Sequence, residues 1–185
     1  MELRDAIYGR RATRSFLKTA ITRTTIMSLI DAAIQAPSAM NDQPWHFVAI
    51  RNAALLGDIA AAAKAYALKM SAENHHAARL HDVLMLDDYQ IFYDAPALVV
   101  ISARANIWAT EDAALAAQNL MLAAYDAGLG SCWIGFAQGW LGTQEGRSAI
   151  GLPDEYVPIA PIVVGYPSAP VPSVPRRPAR VIWLD

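Results

Sequence analysis

The stretch Glu111–Gly135, EDAALAAQNLMLAAYDAGLGSCWIG, changes from one kind of secondary structure to another within a few residues. Its first part, Glu111–Ala127, is the most apolar helical run of the chain. It is too short, and too interrupted by Gln118 and Asn119, to cross a bilayer, so it predicts a central core helix. Gly128 and Gly130 stop that helix, and Ser131–Ile134 opens a strand. Upstream, Ala97–Ser102, led by Pro96, is a run rich in β-branched residues and predicts a buried strand. Downstream, Ile159–Gly165, followed by Tyr166 and Pro167, predicts the last core strand. Further out, Glu2–Gly9, Ile26–Gln35, Ala53–Met70 and Glu73 to about Asp88 read as helices, and His46–Ile50 reads as a strand. Thr24 or Thr25 is the expected cap of the second helix and Pro37 its stop signal. Helices and strands thus alternate irregularly. From Pro167 to Pro178 runs a Pro-rich arm that suits neither helix nor central strand, and it leads to the strand-like Val181–Leu184. An arm that ends in an apolar strand must bury it, and a partner subunit is the expected place.

Length and composition bound the possibilities. The 185 residues, 55% of them hydrophobic, suffice for one sizeable core and predict a single domain over 1–185. A net charge of -2 gives no electrostatic footprint for nucleic acid or an anionic membrane. One cysteine, Cys132, rules out an intrachain disulfide framework and fits a reducing compartment. The opening MELRDAIYGRR lacks an apolar signal region, so a cytoplasmic protein is expected. So high an apolar share with few charges also predicts burial against another subunit.

Three segments carry candidate chemistry. In Ala36–Ile50, APSAMNDQPWHFVAI, an amide-rich loop fenced by Pro37 and Pro44 runs straight into a strand. Asn41 and Gln43 each offer a donor and an acceptor, the pattern that grips a flat heterocycle bearing imide and carbonyl groups; the same residues also make an ordinary turn. Arg10, Arg11 and Arg14 lie within RRATRSF and form a compact set of fork-shaped donors, suited to a phosphate or another anion, or else a solvated surface run. A further basic pair, Arg176 and Arg177, sits in the arm. The glycines of GLGSCWIG follow a helix instead of opening one and no P-loop lysine is present, so neither nucleotide fingerprint applies. They would leave amides near Ile134 and Gly135 free for a ligand.

Other reactive residues read as structural. Cys132 lies in an apolar strand and reads as a packed small hydrophobe. His75, His76 and His81 place no i,i+4 pair on one helical face, so no metal site is expected, and His46 reads as structural. Tyr89, Phe92 and Tyr93 either form a lid over a ligand or cap the core.

Five blocks, RRATRSF (Arg10–Phe16), APSAMNDQPWHF (Ala36–Phe47), DAALAAQNLMLAAYDAGLGSCWIG (Asp112–Gly135), PIVVGYP (Pro161–Pro167) and RRP (Arg176–Pro178), together resemble the nitroreductase-like family of FMN-dependent oxidoreductases. They stand in the family's order. Only 52–93, a variable helical lid-like segment, falls outside the match.

The resemblance implies an α+β fold with helices covering a mostly antiparallel sheet, and an intertwined homodimer with FMN at the interface, the arm 167–185 reaching the partner. It implies that Arg10, with Arg11 beside it, meets the FMN phosphate and that Arg14 lies near the pyrimidine end of the isoalloxazine. Asn41 would bond the pyrimidine edge from across the interface, with Gln43 fixing the loop. Backbone at Ile134 and Gly135 would face N5 and O4, and Arg176 or Arg177 would close on the phosphate. Ala12 stands where the family commonly has serine, a lost hydroxyl contact worth roughly 0.5–1.5 kcal/mol that Thr13 or a backbone amide compensates.

The implied activity is NADH- or NADPH-driven ping-pong reduction of a small electron-poor acceptor such as a nitroaromatic or quinone. The flavin carries the chemistry, and no side-chain nucleophile or metal is required. Another FMN reaction, a dehydrogenase or reductive dehalogenase, and a non-catalytic flavin-binding protein are the alternatives. Lys64, Lys69 and Arg79 are the residues available to read the second phosphate of NADPH.

Overall fold

A computed structural model describes residues 1–72, 78–86 and 88–184. Helices α1 (Leu3–Gly9) and α2 (Arg23–Ala33) precede strand β1 (Trp45–Ile50). Helices α3 (Ala53–Ala72) and α4 (Ala78–Leu84) lead to β2 (Ala97–Arg104), which is followed by α5 (Ala109–Asp126) and β3 (Gly130–Trp133). Two short helices, α6 (Gly135–Leu141) and α7 (Gln144–Ala149), come before β4 (Tyr156–Gly165). The strands form one four-stranded sheet in the order β1-β2-β4-β3, with every neighbouring pair antiparallel. The architecture is α+β, as the resemblance implies.

Strand β2 is buried on both faces because its alternate side chains enter different cores. Leu98 and Val100 join Cys132, Val163 and the apolar sides of α3 and α6. Val99 and Ile101 join Ile162, Val164 and the apolar sides of α2 and α5. On α5, Ala113, Ala116, Ala117, Leu120 and Ala124 recur at helical spacing, and their small volumes let the helix lie close on the sheet. Strand β4 carries Pro158 at an irregularity in its pairing. The register with β2 shifts between Ile101 and Ser102, so Pro158 and Ala160 pair on either side of an irregularity.

Two helix expectations need correcting. Thr22, not Thr24 or Thr25, caps α2, its hydroxyl accepting the Thr25 N–H at 3.0 Å. Helices α6 and α7 fill a stretch with little periodic signal; α7 is announced by Thr143, whose hydroxyl accepts the Gly146 N–H. Of the helix expected over Glu73–Asp88, only Ala78–Leu84 is helical within the described residues, and the chain turns at Met85; 73–77, with His75 and His76, and 87 lie outside them. Val181–Leu184 pairs with no strand among the described residues, and Ile182 and Leu184 are 87% and 93% exposed. No described helix is long and apolar enough to cross a membrane.

Candidate functional site

The arginine-bearing segment is laid along the end of the sheet. Ala12 bridges to Ser131 of β3, and the Thr13 N–H donates to the Ser131 carbonyl at 3.0 Å. Phe16 bridges to Pro167, the Leu17 N–H donates to the Tyr166 carbonyl at 2.8 Å, and the Ser168 N–H donates to the Ser15 carbonyl at 3.1 Å. The Ser168 hydroxyl also donates to the Ser15 hydroxyl at 2.7 Å. Thr13 turns inward, 3% exposed, and occupies the space a side chain at Gly130 would need. Arg10, Arg14 and Ser15 are left facing a groove of about 580 Å³, whose opposite wall is the arm from Ser168 to Arg176.

The charges in that groove repel one another. The Arg10 guanidinium is pushed below the usual arginine range by burial first, then by the positive charges of Arg176 and Arg11. Such a cluster is stable when an anion neutralises it. Arg11 has a different task. Its Nη1 donates to the carbonyls of Tyr8 at 2.8 Å and Arg10 at 2.7 Å, closing the end of α1, while its buried Nε has no partner. Ala12 packs against the apolar core. Arg176 lines the groove, whereas Arg177 is exposed and outside its lining.

A second groove, of about 410 Å³, shares Arg14 and Ser15 with the first. Tyr89 and Tyr93 form one side of it, their hydroxyls 2.9 Å apart. The Tyr89 ring stands edge-on to Phe136, with centroids 6.4 Å apart. Burial pushes the Tyr89 phenol up, and its hydrogen bond with Tyr93 adds to this against the pull of Arg14. Phe92 points the other way, into the core. Burial also pushes the Cys132 thiol up, opposed by Arg14 and Arg10. Past β3, the Ile134 N–H is not free: it donates to the Pro161 carbonyl at 2.8 Å because the sheet pairing runs one residue beyond the strand. Gly135 opens α6, where the first N–H groups have no acceptor along the helix, and no atom lies within 4 Å of where its side chain would be.

The amide loop is elsewhere. It enters β1 at Trp45, opposite Ala103, whereas the arginine segment sits where β3 meets the end of β4. Three strand spacings and about seven residues along β4 separate these corners, on the order of 25 Å. The loop is strained and strapped down. Met40, Asn41 and Gln43 hold left-handed φ values of 53°, 56° and 48°. The Asp112 carboxylate, on a residue 2% exposed, accepts the Ala39 N–H at 2.9 Å, and the Asp112 carbonyl accepts from the Trp45 indole at 3.0 Å. Gln43 donates from Nε2 to Asn41 Oδ1 at 3.1 Å, which orients the exposed Asn41 amide.

The sequence profile of the Nitroreductase family matches residues 7–166. The chain belongs to that family. A relative from Methanothermobacter thermautotrophicus, assigned as an NADH dehydrogenase/NAD(P)H nitroreductase, is 26% identical over 91% of this chain and 78% of its own length. An iodotyrosine deiodinase from Thermotoga neapolitana is 28% identical, covering 95% of this chain and 94% of its own. Among solved structures, a nitroreductase with bound FMN from Bacteroides fragilis superposes with a TM-score of 0.85 at 25% identity, over the full length of both chains.

Within this nitroreductase fold, one chain gathers Arg10, Arg11, Arg14 and Arg176 on one groove near the β3 edge of the sheet, leaves Gly135 outside the lining of both grooves, and holds Asn41 and Gln43 at the opposite corner. Two residues that hold the site escaped the sequence reading. Asp112 looks like any acidic residue in a first helical turn, and only the fold shows it strapping the amide loop. Lys64, read as a candidate phosphate reader, instead donates to the carbonyls of Leu86 at 2.9 Å and Tyr89 at 3.0 Å.

Proposed function

We propose that this nitroreductase-family protein is an FMN-dependent homodimer that uses NADH or NADPH to reduce small electron-poor acceptors by a ping-pong reaction. The observation that carries the reading is the convergence of Arg10, Arg14 and Arg176 on one groove, with Arg10 destabilised by its neighbours' charge. A phosphate monoester supplies the missing negative charge and enough acceptor oxygens for more than one guanidinium. The donor set fits FMN in a second respect: the open space over Gly135, at the start of α6, leaves room for a flat ring.

In this reading Arg10 and Arg176 hold the phosphate. Arg14 stands at the pyrimidine edge, where a cation favours the electron-rich state of the ring. Gly135 offers a backbone N–H to the ring from the start of α6. When bound, FMN supplies the two-electron chemistry that no side chain here could perform. The protein's part is to bind, orient and exclude water.

Asn41 joins this site only from another copy, since its own chain holds it on the order of 25 Å away. The arm supports the same conclusion. Val181, Ile182, Trp183 and Leu184 are exposed and strand-like in composition, and β1 has no strand on its outer side among the described residues. Pairing of one protomer's arm with its partner's β1 satisfies both. A buried single cysteine fits a cytoplasmic home.

Dehalogenation is the second reading, favoured by the near full-length match to the Thermotoga neapolitana deiodinase. Purified protein tests both. Flavin absorbance near 450 nm, bleached anaerobically by NADH or NADPH and restored by a nitroaromatic or quinone, is the expected result. Colourless protein that takes up no FMN rejects the assignment, and turnover confined to halogenated phenols selects the deiodinase-like reaction.

A further inference from the structure

The tyrosine side of the Arg14 groove has no part in the flavin reading above, yet it is built like a site. Three separate restraints fix Tyr89. Its hydroxyl is 2.9 Å from that of Tyr93, its ring meets the edge of Phe136, and its backbone carbonyl accepts from Lys64, which also holds Leu86. Tyr93 and Asp94 both take φ values of 55°, a left-handed conformation that non-glycine residues adopt only at a cost. That backbone turns Tyr93 towards Tyr89 while Phe92 enters the core.

Two phenols carry two protons, and their mutual hydrogen bond uses one. Among the described residues neither hydroxyl makes a further hydrogen bond, which leaves the second proton for a ligand in the groove. The groove's charges are mixed, Arg14 and Lys18 against Asp88 and Asp94, so it has no net charge with which to choose an anion. Selection falls to neutral hydrogen bonding. We infer that the Tyr89–Tyr93 hydroxyl pair is a donor wall of the acceptor pocket, selecting flat acceptors that present a nitro group or quinone carbonyl over apolar rings of the same shape. The inference rests on the flavin reading of the neighbouring groove.

Equilibrium binding to oxidised holoprotein, without an electron donor, tests it through the perturbation of the flavin spectrum. The probes are nitrobenzene and α-methylstyrene, whose planar branched substituents are close in size but differ in oxygen acceptors. Tyr89→Phe should weaken nitrobenzene binding about tenfold while changing α-methylstyrene less than about twofold and leaving FMN affinity unchanged. Tyr93→Phe should act in the same direction, because it removes the partner that orients Tyr89. Equal weakening of both probes, no effect on nitrobenzene, or wild-type protein that does not prefer nitrobenzene would each overturn the inference. Failure to take up FMN, seen before any probe is added, would instead remove the flavin reading and this inference with it.

Discussion

Arg10 and Arg176, from opposite ends of the chain, face one groove and repel each other across it. Arg10→Ala should therefore weaken FMN binding by about 1.5–3 kcal/mol, the range for a charge-assisted contact, and Arg176→Ala should act in the same sense. Arg11→Ala should chiefly lower stability, since Arg11 closes the end of α1. Fluorescence titration with FMN and urea unfolding separate the two effects, and unchanged FMN affinity in Arg10→Ala would refute its phosphate role.

Asp112 ties the amide loop to α5 through Ala39 and Trp45. Asp112→Ala leaves the Ala39 N–H without its acceptor and should cost about 1–3 kcal/mol in urea unfolding. Asp112→Asn keeps an acceptor oxygen and should cost less. Equal losses in the two variants would mean that the hydrogen bond to Ala39 contributes little.

The regular elements were legible because their patterns are local. Ala97–Ser102 and Glu111–Ala127 announce a two-faced strand and a core helix through composition alone, and both lie within two residues of β2 and α5. Helices α6 and α7 were not legible, since Gly135 and Gly139 dilute the helical signal and neither helix exceeds seven residues. The arginine cluster could be read as an anion site, but its convergence with Arg176 depends on Ser15, Tyr166 and Ser168 pairing at the sheet end. The separation of Asn41 from that groove is a matter of strand order, which no short motif encodes.

Cys132 is held above the usual thiol range by burial. A thiol whose folded pKa exceeds its unfolded value favours the folded state only while protonated, so its contribution is intact below the unfolded pKa and is lost as pH rises past it. Stability in urea should fall as the pH rises above about 8.5, and Cys132→Ala should flatten part of that fall. An unchanged slope in the variant would show that Cys132 does not contribute to it.

Truncation after Ser168 removes Arg176 together with the apolar end of the arm. Dimerisation and FMN affinity should both weaken. A truncated protein that stays dimeric in dilute sedimentation runs would show that the arm is not an exchanged clasp.

In the proposed function the arginine groove reads the phosphate of a flavin nucleotide. Titration of the apoprotein with FMN and with riboflavin, which has the same ring system and no phosphate, tests it most directly. FMN should bind at least about 100-fold more tightly, the combined effect of two charge-assisted contacts. Equal affinity for the two flavins, or none for either, would contradict it.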